Sequence, residues 1–377
     1  MATIHLEELR KVFSVGGTDH VAVDGISLEI PDGSFTTIVG PSGCGKTTTL
    51  RMLAGLETPT GGRIRFDDRD VTDLRPQERN VAMVFQSIAL YPHMTVRENI
   101  GYALKIDGVP KAGRDEKIEE AAEILQITDQ LDKLPGDLSG GQQQRVALGA
   151  AFVKEPEVIL FDEPMSDLDA KLRAELRVEV LQLHKRLDAT IVYVTHDQTE
   201  AMTMSDTVVT LREGQVEQVA PPGELFDFPT SKYVAKFIGT PSTNVLPYTV
   251  ELVDETPALC GFGHRIPVDS DVLFDYVGET VELGIRPQYL SPSGGEFELA
   301  VDIDVIENRG TDSVVHARRE DGEPIDFVTD ESESIQPGEE TKIGVDRNDI
   351  FVFDASGDTI LFGDRLPDHP SPNTQQR

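Results

Sequence analysis

Gly40-Pro41-Ser42-Gly43-Cys44-Gly45-Lys46-Thr47 fits the pattern G-x-x-x-x-G-K-[ST], whose chemistry is phosphate binding. Glycines let the backbone N–H groups turn inward on phosphate oxygens, and a helix running on from Thr48 would add its N-terminal dipole. Lys46 has the reach for β- and γ-phosphates, and the Thr47 hydroxyl is a suitable Mg²⁺ ligand. A nucleotide, ATP with Mg²⁺, is therefore the first expectation. Hydrolysis would also need an acid to hold the metal and groups to orient water. Asp162 and Glu163 follow an apolar run, Glu157-Val-Ile-Leu-Phe161, and suit those two tasks. Gln86 and His196 also come directly after apolar runs. Taken singly, the two carboxylates also read as a strand-end turn, and a lone Gln or His is more often a satisfied loop residue. Their shared place at strand ends, where open parallel sheets gather ligands, is the argument for chemistry.

The elements that must carry these groups alternate in kind. Ser34–Val39, Val81–Phe85, Glu157–Phe161 and Thr190–Val194 are short continuous apolar runs, the mark of strands buried on both faces. Between them lie helix-spaced segments: Thr48–Ala54, two helices between Thr95 and about Gln130, one opening at Leu138, and Ala170–Leu187. This order predicts a parallel sheet with helices on both faces. Near the start, Ile4–Leu6 and Ala22–Ile30 read as strands, with Phe13 by a turn and Ser14–His20 as a loop. Past Pro229 the texture becomes β-rich, with runs at Val250, Val281, Leu299, Ser313 and Asp349 that suggest a small barrel or sandwich. The expected domains are 1–235, with a helical subdomain over about 88–150, then 236–363, then a polar tail over 364–377.

Among 377 residues, 67 acidic side chains face 34 basic ones, a formal charge of −33. Residues 1–240 hold 38 and 25 of these, and residues 241–377 hold 29 and 9. Such a balance argues against nucleic acid as a partner, because tracking phosphates needs a basic face. It fits a surface adapted to concentrated salt, as in a halophile, or an acidic docking face for a basic partner. Two cysteines, Cys44 and Cys260, make neither a disulfide framework nor zinc-ligand spacing, which points to a reducing, cytosolic setting. No signal-peptide core and no membrane-spanning run is visible, so membrane work would go through a partner.

Leu138-Ser139-Gly140-Gly141-Gln142 adds the deciding motif. With it the chain resembles the nucleotide-binding subunits of ABC transporters over its first 240 residues. The P-loop, Gln86 of the Q-loop, this signature, Asp162-Glu163, a D-loop at Ser166–Asp169 and the switch His196 stand in that family's order. The resemblance implies an α/β P-loop ATPase core with an inserted helical subdomain. It makes Glu163, His196 and Gln86 candidate catalytic residues and Thr47, Gln86 and Asp162 candidate Mg²⁺ ligands. Nucleotide contacts would come from Phe13, matching the family's adenine-stacking aromatic, from Gly40 through Thr48, and from Ser139 to Gln142. ATP would lie between the P-loop of one subunit and the signature of another, so a second such subunit, identical or paralogous, is required. Ala150 and Asp167 depart from the family's usual residues, at positions that bear on contacts between subunits.

Segments Ala89–Asn99, Tyr193–Met202, Gly239–Asn244 and Ile285-Arg-Pro287 look like the sugar-importer ATPases of the maltose and glycerol-phosphate type. That group implies a C-terminal domain of oligonucleotide-binding-fold type, which takes part in the dimer and receives regulators. It also implies two permease subunits docked near Gln86–Tyr91, a substrate-binding protein, and a place at the cytoplasmic face of the membrane. The expected function is ATP-driven carbohydrate import. A polyamine, iron or sulfate importer shares these motifs. A soluble ABC ATPase would usually fuse two cassettes or carry a long coiled coil, and a small-molecule kinase would have no use for the signature.

Overall fold

The computed structural model describes residues 1–363 except 188, 269 and 331–334; the expected tail over 364–377 lies outside the described residues. Two compact units divide at Pro222 and Gly223. In the first, β1 (Ile4–Val15), β2 (Thr18–Ile30), β4 (Gly61–Phe66) and β5 (Arg69–Asp70) make an antiparallel sheet in the order β2-β1-β4-β5. A second sheet has the order β10-β9-β3-β8-β7-β6. It is built from β3 (Phe35–Val39), β6 (Val81–Val84), β7 (Val158–Asp162), β8 (Thr190–Thr195), β9 (Thr207–Arg212) and β10 (Gln215–Ala220). All its pairings are parallel except β9 with β10. The helices are α1 (Lys46–Ala54), α2 (Val96–Ile106), α3 (Lys111–Ile124), α4 (Gly140–Phe152), α5 (Ala170–His184) and α6 (Gln198–Met204).

The continuous apolar runs have a plain cause. Successive strand residues point to opposite faces, and here both faces are covered. Val158, Leu160, Val192 and Val194 pack in one core with α1 and the antiparallel sheet. Ile159, Phe161, Ile191 and Tyr193 pack in another with α2 to α5. No position of β7 or β8 faces water, so none is polar for water's sake.

Register then places the strand ends. Val39 pairs with Thr195, Asp162 with Val194, and Val84 with Phe161. The residues that follow these ends, from Gly40, Gln86, Glu163 and His196, therefore emerge along one edge of the sheet, where such folds bind ligands.

Three local readings need correction. The segment Ser14–His20 is not a loop: β1 runs to Val15 and β2 starts at Thr18, with only Gly16 and Gly17 turning between them. Both glycines have positive φ, which a two-residue hairpin turn requires. The strand before Gln86 stops at Val84, leaving Phe85 exposed. Helix α5 ends at His184 rather than Leu187.

The second unit begins inside α7 (Pro222–Asp227) and continues with α8 (Lys232–Phe237). One sheet there has the order β13-β12-β11-β14-β19-β20. The members are β11 (Asn244–Val253), β12 (Thr256–Gly261), β13 (His264–Pro267), β14 (Thr280–Ile285), β19 (Ile350–Phe353) and β20 (Thr359–Leu361). The other, β17-β16-β15-β18, holds β15 (Phe297–Asn308), β16 (Ser313–Arg319), β17 (Pro324–Thr329) and β18 (Glu340–Val345). Both sheets share one apolar core. All five β-rich runs read from the sequence fall on strands. The hairpin partners β12, β13, β17 and β18 are not among those runs.

Candidate nucleotide site

The loop between β3 and α1 is shaped by close packing. A Cβ on Gly45 would stand 2.4 Å from the Ala22 carbonyl oxygen, and φ at Gly45 is 108°, so glycine is required twice over. Gly45 caps α1 without any side-chain hydrogen bond, which leaves the first N–H groups of the helix to an anion. Lys46 is 5% exposed and donates from Nζ to the carbonyls of Gly40 (2.8 Å) and Pro41 (3.1 Å). The Nζ also lies 3.9 Å from Glu163 Oε1. Cys44 faces inward: its side chain joins the core beneath the loop, and burial pushes its thiol pKa up. Only its backbone is left for a phosphate. Pro41, Ser42 and Gly43 are exposed on the loop's crest, and Thr48 is half-buried in the first turn of α1.

Thr47 and Asp162 meet. The Thr47 hydroxyl donates to Asp162 Oδ1 at 2.8 Å, although 115 residues separate them. Burial pushes the Asp162 carboxyl up, opposed first by the Thr47 hydroxyl and then by Arg51. A hydroxyl and a buried carboxylate side by side are the hard oxygen ligands that Mg²⁺ takes.

Glu163 and His196 also meet. His196 Nδ1 is 2.8 Å from Glu163 Oε2, in the geometry of an N–H donating to a carboxylate. Glu163 has φ of 46°, left-handed backbone that few non-glycine residues adopt. Its N–H nonetheless donates to the Val194 carbonyl at 2.9 Å, so the chain leaves β7 and turns while still pinned to β8. That turn aims the carboxylate at both Lys46 and His196.

The remaining candidates lie apart from this cluster in the bonding pattern. Gln86 is exposed, and none of the described hydrogen bonds engages it. Phe13 is half-buried on β1 opposite His20, with Lys11 Nζ 4.9 Å from its ring centre. It belongs to none of the described apolar cores. Ser139 caps α4: its hydroxyl accepts from Gln142 N–H, and Gln142 Oε1 accepts from Ser139 N–H at 3.0 Å. This capping box occupies the Gln142 side chain and the third N–H of the helix. The N–H groups of Gly140 and Gly141, and the hydroxyl proton of Ser139, are what it leaves to a ligand. Ser139 and Gly140 are exposed, and among the described residues no hydrogen bond or ion pair joins them to the P-loop.

Residues 23–166 match the ABC transporter family, and residues 283–353 match the TOBE domain. The sulfoquinovosyl glycerol transport ATP-binding protein SmoE of Agrobacterium fabrum is 45% identical over 360 residues, covering 94% of this chain and 98% of that protein. The chain belongs to the ABC transporter ATP-binding family. The diacetylchitobiose uptake system ATP-binding protein MsiK of Streptomyces coelicolor is 44% identical over 393 residues, covering 98% and 100%. The sn-glycerol-3-phosphate import ATP-binding protein UgpC 2 of Agrobacterium fabrum is 44% identical over 361 residues, covering 96% and 95%. Among solved structures, a dimeric bacterial ABC transporter cassette superposes with a TM-score of 0.54 at 30% identity, covering 58% of this chain and 98% of its own. A post-hydrolysis state of that cassette, bound to ADP and Pi, superposes equally well. As an ABC-type ATPase the chain binds and hydrolyses ATP, on a core of ABC ATPase fold followed by a TOBE-containing β-rich region.

Two groups around this ABC site were not found by sequence reasoning. Asp197 caps α6 by accepting from Thr199 N–H (2.8 Å) and Glu200 N–H (3.4 Å). Glu200 is buried and accepts from the hydroxyls of Tyr193 (2.8 Å) and Thr195 (2.6 Å). The spacing Asp197-x-x-Glu200 is an N-cap signature and was the available signal. Arg79 is the other: fully buried, it donates to the carbonyls of Met52, Leu53, Thr72 and Leu74 and so closes the C-terminal end of α1. Nothing in its local sequence marks it.

Proposed function

We propose that this chain is the ATP-hydrolysing subunit of an ABC importer for a carbohydrate, and that Glu163 and His196 form its hydrolysis pair. The observation that carries the second part is the Glu163–His196 contact at 2.8 Å beside Lys46, held by a left-handed residue at a strand end. Water attacking the γ-phosphorus forms one P–O bond while the bond to the ADP oxygen breaks. Glu163 accepts a hydrogen bond from that water and draws off its proton, and His196 holds the carboxylate in place. Lys46 and the N–H groups from Gly40 to Thr48 hold the phosphates. Phe13 stacks on the adenine. Thr47 and Asp162, with Gln86, would hold Mg²⁺, which would offset phosphate charge.

A second subunit, identical or paralogous, supplies Ser139 to Gln142 to the same ATP. The exposure of Ser139 and Gly140 supports that reading. ATP binding then closes the dimer and ADP release reopens it. The β-rich unit takes part in dimer contact and receives regulators. Among the described residues no helix is long and apolar enough to cross a membrane, which fits attachment at its cytoplasmic face through two permease subunits fed by a substrate-binding protein. Phe85 and Tyr91, exposed beside Gln86, suit permease docking. The carbohydrate reading rests on relatives that serve sulfoquinovosyl glycerol, diacetylchitobiose and glycerol 3-phosphate.

Glu163→Gln tests the pair. The full-length variant is expected to keep ATP, sediment as a dimer with it, and lose turnover by about a hundredfold or more. Hydrolysis at the wild-type rate would remove Glu163 from the mechanism.

A further inference from the structure

Arg173 sits in the first turn of α5, just past the D-loop, and its guanidinium spans three places. Nη2 donates to the carbonyl of Leu168, inside the D-loop, at 3.1 Å. Nη1 donates to Asp197 Oδ2 at 3.0 Å. Nε is buried without a hydrogen-bond partner, 3.9 Å from Glu200 Oε1. Asp197 and Glu200 have no other ion pair among the described residues.

Those two carboxylates bracket the switch histidine. On one side Glu200 Oε2 accepts from Thr195, the residue before His196. On the other, Asp197 follows His196 directly; its N–H donates to Thr195 Oγ1 at 3.0 Å while its Oδ1 caps α6. Oδ2 is thus left for Arg173 alone. His196 itself is more than half exposed and has only Glu163 as a described side-chain partner. Its position is set by its two neighbours, and the guanidinium ties both neighbours' anchors to the D-loop.

We propose that Arg173 is a positioning residue for hydrolysis: it holds the D-loop carbonyl of Leu168 to Asp197 and thereby keeps His196 against Glu163. A displacement of the D-loop carries the guanidinium with it and reaches His196 through Asp197. The spare Nε donor beside Glu200 leaves the guanidinium one further hydrogen bond to make when it shifts. The proposal rests on the reading of Glu163 and His196 as the hydrolysis pair.

The test is steady-state ATP hydrolysis by the full-length chain and the variants Arg173→Met, Arg173→Lys, Asp197→Asn and His196→Ala, with the Arg173→Met/His196→Ala double variant. Arg173→Met is expected to lower kcat by about tenfold with KM for ATP changed less than about twofold. Arg173→Lys should recover part of the loss. Asp197→Asn keeps the α6 cap through its amide oxygen and should show the same kcat loss, which covers the case that Arg173→Met folds poorly. The double variant should be no slower than His196→Ala alone. If His196→Ala is impaired but the two losses multiply, Arg173 does not act through His196 and the proposal falls alone. If His196→Ala turns over at the wild-type rate, the hydrolysis pair falls and takes this proposal with it.

Discussion

Glu200 shows how a single carboxylate can shape the site without touching it. It is 3% exposed, and burial is the largest influence on its pKa, pushing it up against the hydroxyls of Thr195 and Tyr193, which pull it down. The folded protein therefore holds the Glu200 proton over a range where the unfolded chain has released it. Stability from that proton is full below the ordinary carboxylate value of 4.5 and is lost as pH rises through the raised one. Glutamine does not titrate, and its amide oxygen still accepts from both hydroxyls. Melting curves of Glu200→Gln and the parent chain between about pH 4 and 7 should show the difference moving in the variant's favour as pH rises. A difference independent of pH would mean that Glu200 keeps an ordinary pKa. Glu163, by contrast, carries its cost in the backbone, a left-handed φ that the pinning to Val194 makes tolerable.

At the scale of elements, α1 is the piece that must not move, because its first turn carries Lys46 and Thr47. Its N-terminal end has no side-chain cap, so its anchoring comes from elsewhere. Arg79 provides it, with a guanidinium that satisfies two carbonyls of the last turn of α1 and two of the chain that follows. The C-cap Gly55 lies against that guanidinium: an added Cβ there would come within 2.7 Å of Nε. Arg79→Met is expected to lower the free energy of unfolding by about 3 kcal/mol, since it leaves buried carbonyls unpaired. Denaturant midpoints measure this, and a shift of less than about 0.5 kcal/mol would show that the carbonyls find other partners. Arg286 plays a like part in the second unit. It is fully buried and donates to the carbonyls of Phe226, Ala235 and Ile238, and burial brings its pKa down to about 10. The Ile285-Arg-Pro287 segment is thus explained by packing.

For the whole molecule, charge is the outstanding quantity. A formal −33 over 377 residues, the excess left after every basic side chain is counted, repels itself in dilute buffer. Screening ions relieve that repulsion over short distances. On the reading of a salt-adapted surface, thermal unfolding of the full-length chain should be highest in molar KCl. Greatest stability in dilute buffer would refute salt adaptation and favour the alternative of an acidic docking face. Neither outcome bears on the contacts of the buried Lys46 and Asp162 at the candidate nucleotide site.

Much of the candidate site is legible in the sequence. The P-loop, the signature and the Asp162-Glu163 step are local motifs, and each announces its neighbours because a strand buried on both faces is an unbroken apolar run. Strand alternation between two cores explains why Val158 to Phe161 could be read so directly. Tertiary structure alone decided what meets what: Thr47 with Asp162, Glu163 with His196, and Arg173 with Leu168, Asp197 and Glu200. Those pairs depend on the register of parallel strands and on where a long guanidinium ends. A register is a relation between segments far apart in the chain, so no local pattern encodes it. Sequence by itself settled which chemistry is present here; the sheet decided which atoms share it.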